Sequence, residues 1–131
     1  MHQRLAHVTV LVRSYDEAIA FYTNVLGFSL AANQDMGGGK RWVVVAPPGP
    51  EGCGLLLAEA KTEEEKQAVG RQGGGRVWLF LHTDDFRRDH PVLLARGLRF
   101  QEEPRREPYG HVAVFEDLYG NRWDLLEPFT A

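Results

Sequence analysis

One cysteine in 131 residues, Cys53, rules out an intrachain disulfide and any thiolate-rich zinc site. It stands between Gly52 and Gly54 at the start of an apolar run, the setting of a small buried thiol. A nucleophilic thiolate would need an electropositive surrounding, and none is near in sequence. Nor does one charge dominate: 15 Lys and Arg against 18 Asp and Glu leave a formal net charge of -3. That balance gives no general electrostatic reason to bind nucleic acid or anionic lipid, and Arg87-Arg88 and Arg105-Arg106 read as solvated pairs. No apolar stretch approaches the length that crosses a bilayer, and the opening MHQRLAHV lacks the apolar centre of a signal peptide. A cytoplasmic protein without nucleic-acid or membrane partners is the expectation.

What is present is a core-forming composition, 44% hydrophobic, in a chain long enough for one domain and too short for two ordinary ones. Residues 7–28, HVTVLVRSYDEAIAFYTNVLGF, organise it. His7, Thr9 and Leu11 alternate with Val8, Val10 and Val12, so the segment reads as a strand with two distinct faces, one of which begins with a histidine. Ser14 or Asp16 can cap the helix that follows, Glu17 lies in its first turn, and Ala18, Phe21, Tyr22, Val25 and Leu26 form an apolar stripe at spacings of three and four. Gly27 ends the helix. Residues 28–34 and 41–46 read as strands joined through Gly37-Gly38-Gly39, which lacks the strand, lysine and hydroxyl of a phosphate loop. Residues 54–59, GLLLAE, form a short apolar strand after Pro47-Pro48-Gly49-Pro50.

Residues 61–75, KTEEEKQAVGRQGGG, change character and read as a linker with room for one helical turn. Residues 76–83 then alternate again, with Trp78, Phe80 and His82 opposite Val77, Leu79 and Leu81. Because proline clashes with the preceding helical turn, Pro91 predicts a helix starting near Asp89 and stopping at Arg96 before Gly97. Strands are expected at 98–103, 111–116 and 122–127, with residues 104–110 as a turn region. Both halves therefore read strand, helix, three strands. The expected organisation is a single domain over 1–131, with module one at 5–60, the linker at 61–75 and module two at 76–128.

This arrangement is similar to the vicinal oxygen chelate superfamily of glyoxalases, extradiol dioxygenases and bleomycin-resistance proteins. The resemblance rests on Asp16-Glu17-Ala18 through Phe21-Tyr22 to Val25-Leu26-Gly27-Phe28. In the second half it rests on Phe115-Glu116-Asp117, Tyr119-Gly120-Asn121 and Trp123-Asp124-Leu125. It implies an α+β fold of two tandem βαβββ modules whose curved mixed sheets surround a cup, in a homodimer. In metal-using relatives four ligands hold a divalent ion that stabilises charge developing on substrate oxygens. Carried over, the first position is His7, the second Leu57 with Glu59 two residues beyond, the third Trp78 and the fourth Asp124.

Two of those four are apolar, which leaves fewer protein ligands than a divalent site usually has. The expectation is therefore a cup without a cofactor that binds a small organic molecule through His7, Leu57, Trp78, Phe80, Arg122 and Asp124, with aromatic walls suited to a flat guest. The alternative is a lyase or dioxygenase dependent on a divalent metal such as Zn, Ni, Mn or Fe, with His7, Glu59 and Asp124 as ligands. The residues leave open whether any reaction is catalysed.

Overall fold

Strand β1 (His7–Val12) forms where the sequence alternates, and its faces differ as the pattern requires: Val10 and Val12 are fully buried, while His7 and Thr9 are exposed. Ser14 caps helix α1 (Tyr15–Asn24), its Oγ accepting from the Glu17 amide at 3.3 Å, with Asp16 and Glu17 in the first turn. Tyr15, Ala18 and Tyr22 are the buried residues of α1. Gly27 (φ 77) then turns the chain, and the Phe28 amide donates back to the Tyr22 carbonyl at 2.9 Å. Strands β2 (Ser29–Gly37), β3 (Lys40–Ala46) and β4 (Gly54–Glu59) complete a sheet of order β1-β4-β3-β2, in which β1 and β4 run parallel and the other neighbours antiparallel. Gly37, Gly38 and Gly39 all have positive φ, so the triple glycine is the hairpin connection.

The computed structural model describes residues 1–50 and 52–130, and the chain divides into two compact units, Met1–Val69 and Gly70–Ala131. The charged stretch closing the first unit holds a short helix, α2 (Glu63–Ala68), capped by Thr62, whose Oγ1 accepts from the Glu65 amide at 3.1 Å.

The second unit repeats the connectivity of the first. Strand β5 (Val77–His82) leads to helix α3 (Phe86–Ala95), then to β6 (Arg99–Phe100), β7 (Arg105–Glu107), β8 (Gly110–Glu116) and β9 (Arg122–Pro128). The order is β5-β9-β8-β6, with β7 also on β8 and β5 parallel to β9. The α+β class and the two tandem βαβββ modules are therefore as the sequence implied.

The second unit departs from the sequence reading at α3 and at the strands that follow it. Helix α3 begins three residues earlier than Asp89 and carries Pro91 in its interior. Its start is fixed by Asp85, whose carboxylate accepts from the Arg88 amide at 3.0 Å, and by Glu127, which accepts from the Phe86 amide at 2.7 Å. These caps, with the buried Phe86 and Leu93, offset the one backbone bond that proline cannot make. The strand expected at 98–103 is cut down to β6, and β7 forms within residues 104–110, which were expected as a turn region. The Glu102 carboxylate accepts from the Val114 amide at 2.9 Å, taking a ladder position that backbone would otherwise fill, and Pro104 offers no N–H with which to resume.

The turn between β8 and β9 is built around Asp117, which is 1% exposed. Its Oδ1 accepts from the amides of Tyr119 (3.1 Å) and Asn121 (2.9 Å), and its Oδ2 from Asn121 Nδ2 (3.0 Å) and Trp123 Nε1 (3.3 Å). Asn121 in turn accepts from the Gln72 amide at 3.0 Å, tying the start of the unit to this turn.

Candidate functional site

Strand pairing decides which side chains share a face. On the first sheet Val10 pairs with Leu57 and Val12 with Glu59, and this face carries α1: Glu59 accepts from the Tyr15 amide at 3.1 Å, and Tyr15 Oη accepts from the Arg41 amide at 3.2 Å. His7, Thr9 and Leu11 pair with Gly54, Leu56 and Ala58 on the opposite face, helix-free in the sense that α1 lies on the other side. The register thus places Leu57 and Glu59 away from His7, and the residues of β4 that share the His7 side are Gly54, Leu56 and Ala58. Leu57 is core, 1% exposed, and Glu59 serves the first turn of α1.

His7 lies over β4 toward Trp42 of β3, the two rings meeting edge to face at 5.8 Å. Gly54, the β4 partner of His7, packs closely against β3. A Cβ there would stand 2.8 Å from Val44 Cγ1 and 3.6 Å from His7 Cδ2. Trp42 remains 37% exposed, so the first unit presents an imidazole and an indole together on its helix-free face.

The second sheet follows the same logic. Glu127 holds the start of α3 as Glu59 holds that of α1, and three residues before each lies a helix-free position: Leu56 in one unit, Asp124 in the other. Asp124 pairs with Phe80 of β5 and Val114 of β8. Phe80 is 62% exposed, whereas Asp124 is 8% exposed and its Oδ1 is buried without a hydrogen-bond partner. Burial pushes the Asp124 carboxyl above its ordinary range, Arg105 opposes that shift, and Glu102 adds to it.

Trp78 does not join this group. It sits in the irregularity where the β5–β9 register shifts, and its ring packs edge-on at 6.1 Å against Trp123, which alternates away from Asp124. Arg122 is exposed and donates to the Gly75 carbonyl at 3.4 Å.

Glu102 and Arg105 both act on the Asp124 carboxyl; the sequence suggested Arg105 as half of a solvated pair and did not single out Glu102. Arg105 Nε donates to both oxygens of Glu102 at 3.0 Å and Nη1 donates to Glu107. Arg105 pairs with Val112, on the Asp124 side of β8, and the bond to Glu102 heads the interactions that hold its guanidinium protonated. The available signal was the two-residue spacing of Arg105 and Glu107, which puts opposite charges side by side on one strand face.

The donor set fits a metal poorly. The first unit offers His7 on its helix-free face, with Leu56 where a second ligand would come. The second offers Asp124, with the Trp78 ring turned to Trp123. Among the described residues no three of His, Cys, Asp and Glu converge as a metal site would require.

Similarity to known proteins bears on the family and the fold. The family model described as the Glyoxalase/Bleomycin resistance protein/Dioxygenase superfamily matches residues 4–125. An uncharacterized protein of Shewanella frigidimarina (strain NCIMB 400) is 52% identical over 132 residues, covering 97% of this chain and 95% of its own. Among solved structures, UcmS2 aligns with a TM-score of 0.83 at 30% identity, over 97% of this chain and 99% of its own. TnmS3, described as an antibiotic binding protein from Streptomyces sp. CB03234, aligns with a TM-score of 0.79 at 30% identity, over 98% of each chain.

Proposed function

The chain belongs to the glyoxalase/bleomycin resistance protein/dioxygenase superfamily, and from that premise we propose that it binds a small organic molecule on its helix-free sheet surfaces without a metal ion. The observation that carries this reading is the pairing of exposed rings with polar groups: Trp42 with His7 on one sheet and Phe80 with Asp124 on the other. Rings of this kind supply area, and burying roughly 200 Å² of a flat apolar guest contributes about 5 kcal/mol. The polar groups supply orientation. Likeness to TnmS3, an antibiotic binding protein, supports a ligand-binding role for the same scaffold. Leucine at 56 and tryptophan at 78 favour binding over coordination, since neither can donate to a cation. We take the chain to act as a homodimer, a point that light scattering in solution tests directly.

Two measurements test the proposal together. Metal analysis of protein purified without chelator is expected to give far less than one divalent ion per chain, and a thermal-shift panel of aromatic small molecules is expected to give stabilisation that survives EDTA. Stoichiometric metal, with ligand binding or turnover abolished by EDTA, would overturn the proposal in favour of a divalent-metal-dependent lyase or dioxygenase that retains His7 and Asp124.

A further inference from the structure

Two side-chain polar atoms among the described residues are buried without a hydrogen-bond partner, His90 Nε2 and Asp124 Oδ1. They differ in surroundings. His90 lies between the rings of Phe86 (5.3 Å, stacked) and Phe100 (4.3 Å), so its nitrogen belongs to a packed aromatic cluster. Asp124 stands on the helix-free face, next in register to a phenyl ring that is largely exposed. A buried acceptor without a donor carries its full desolvation cost, and native chains retain such groups where something outside the chain completes them.

Charge around Asp124 selects the completing group. The guanidinium that acts on Asp124, Arg105, is already engaged by Glu102 and Glu107, and Arg122, two residues along the same strand face, is exposed and turned to the Gly75 carbonyl. An incoming anion meets like charge there. An incoming cation finds an acceptor whose solvation has been removed and not replaced.

Resting on the ligand-binding reading above, we infer that the second module recognises the protonated amine of an aromatic guest, the ammonium donating to Asp124 Oδ1 while the aromatic body lies against Phe80. Exposed side chains change rotamer in picoseconds to nanoseconds, so the Phe80 ring can adjust to the guest. No bond is made or broken; the step is a charge-assisted hydrogen bond formed in place of water.

The test uses three probes that share a naphthyl body and differ in one group: naphthylmethylamine, naphthylmethanol and naphthylacetate. Binding is measured by titration calorimetry near neutral pH and physiological salt, on the full chain and on the Asp124→Asn and Phe80→Ala variants, each first checked for folding by thermal unfolding. The amine is expected to bind about tenfold or more tighter than the alcohol, the scale of one hydrogen bond to a charged group, with the carboxylate weakest. In Asp124→Asn the amine's advantage should fall to within about threefold, while Phe80→Ala should weaken all three probes alike. If amine and alcohol bind the wild-type chain equally, or the preference survives in Asp124→Asn, the inference is overturned while the ligand-binding reading stands. If none of the probes and no other aromatic molecule binds, that reading falls and takes the inference with it.

Discussion

Replacing Asp124 by asparagine should make the protein more stable near neutral pH. The side chain is 8% exposed, its Oδ1 lacks a partner, and burial raises its pKa from the ordinary 3.8 with Glu102 reinforcing and Arg105 opposing. The sign follows from proton linkage. A carboxyl whose pKa is higher folded than unfolded binds protons better in the folded state, so stability falls as pH rises from the unfolded value through the folded one and stays reduced above it. An ionised acceptor left buried and unpaired costs on the order of 1–3 kcal/mol, and the attraction of Arg105, which an amide forfeits, offsets part of this. A net gain of about 1 kcal/mol remains for Asp124→Asn, or roughly 3–5 °C in Tm for a chain of this length. Urea unfolding of both proteins between about pH 3 and pH 8 reads the effect. The variant's advantage should be full at the upper end, shrink as pH falls and disappear once pH drops below the unfolded-state value of 3.8. A variant that is less stable at neutral pH, with a deficit that grows as pH rises, would show that Arg105 makes the carboxylate a net stabiliser and refute the reasoning.

Three further outcomes are expected. Gly54→Ala brings a Cβ to 2.8 Å from Val44 Cγ1 and 3.2 Å from the Val45 carbonyl, so it should cost about 1–3 kcal/mol of unfolding stability in urea titration; a loss below about 0.5 kcal/mol would count against that packing. Asp117→Ala strands the donors of Tyr119, Asn121 and Trp123 and should lower unfolding stability by about 3–5 kcal/mol in urea titration, a loss below about 1 kcal/mol being the contrary result. Glu59→Ala and Glu127→Ala should each lower stability by about 1–2 kcal/mol, since each removes the acceptor at a helix start; a loss in one variant alone would break the equivalence of the two units.

Much of the scaffold was legible because local chemistry and tertiary packing agree. Alternation gave β1, the four-residue spacing gave α1, and GLLLAE is β4 as read. The interior Pro91 was not legible, because the bonds that hold α3 open at its start come from Asp85 and, 41 positions on, from Glu127. The break between β6 and β7 likewise depends on Glu102 reaching the Val114 amide, a contact no local window contains. For the site, His7, Phe80 and Asp124 stood out as polar or aromatic residues at strand positions that face away from the helices. Leu57 and Leu56 could not be told apart, since a run of leucines has no alternation from which to fix the register. Arg105 was hidden for a different reason: paired charges near prolines usually mark a solvated loop, and only the pairing with β8 shows otherwise.

Because Glu59 and Glu127 secure their helices from one side of each sheet, the residues that alternate with them have no part in holding helix to strand. Substitutions at far-side positions that neither fill the core nor sit against a neighbouring strand can therefore accumulate without loosening the frame. A lineage built on such a plan can exchange one guest for another by changing a handful of side chains, and a protein engineer can do the same, beginning at Leu56 and Asp124.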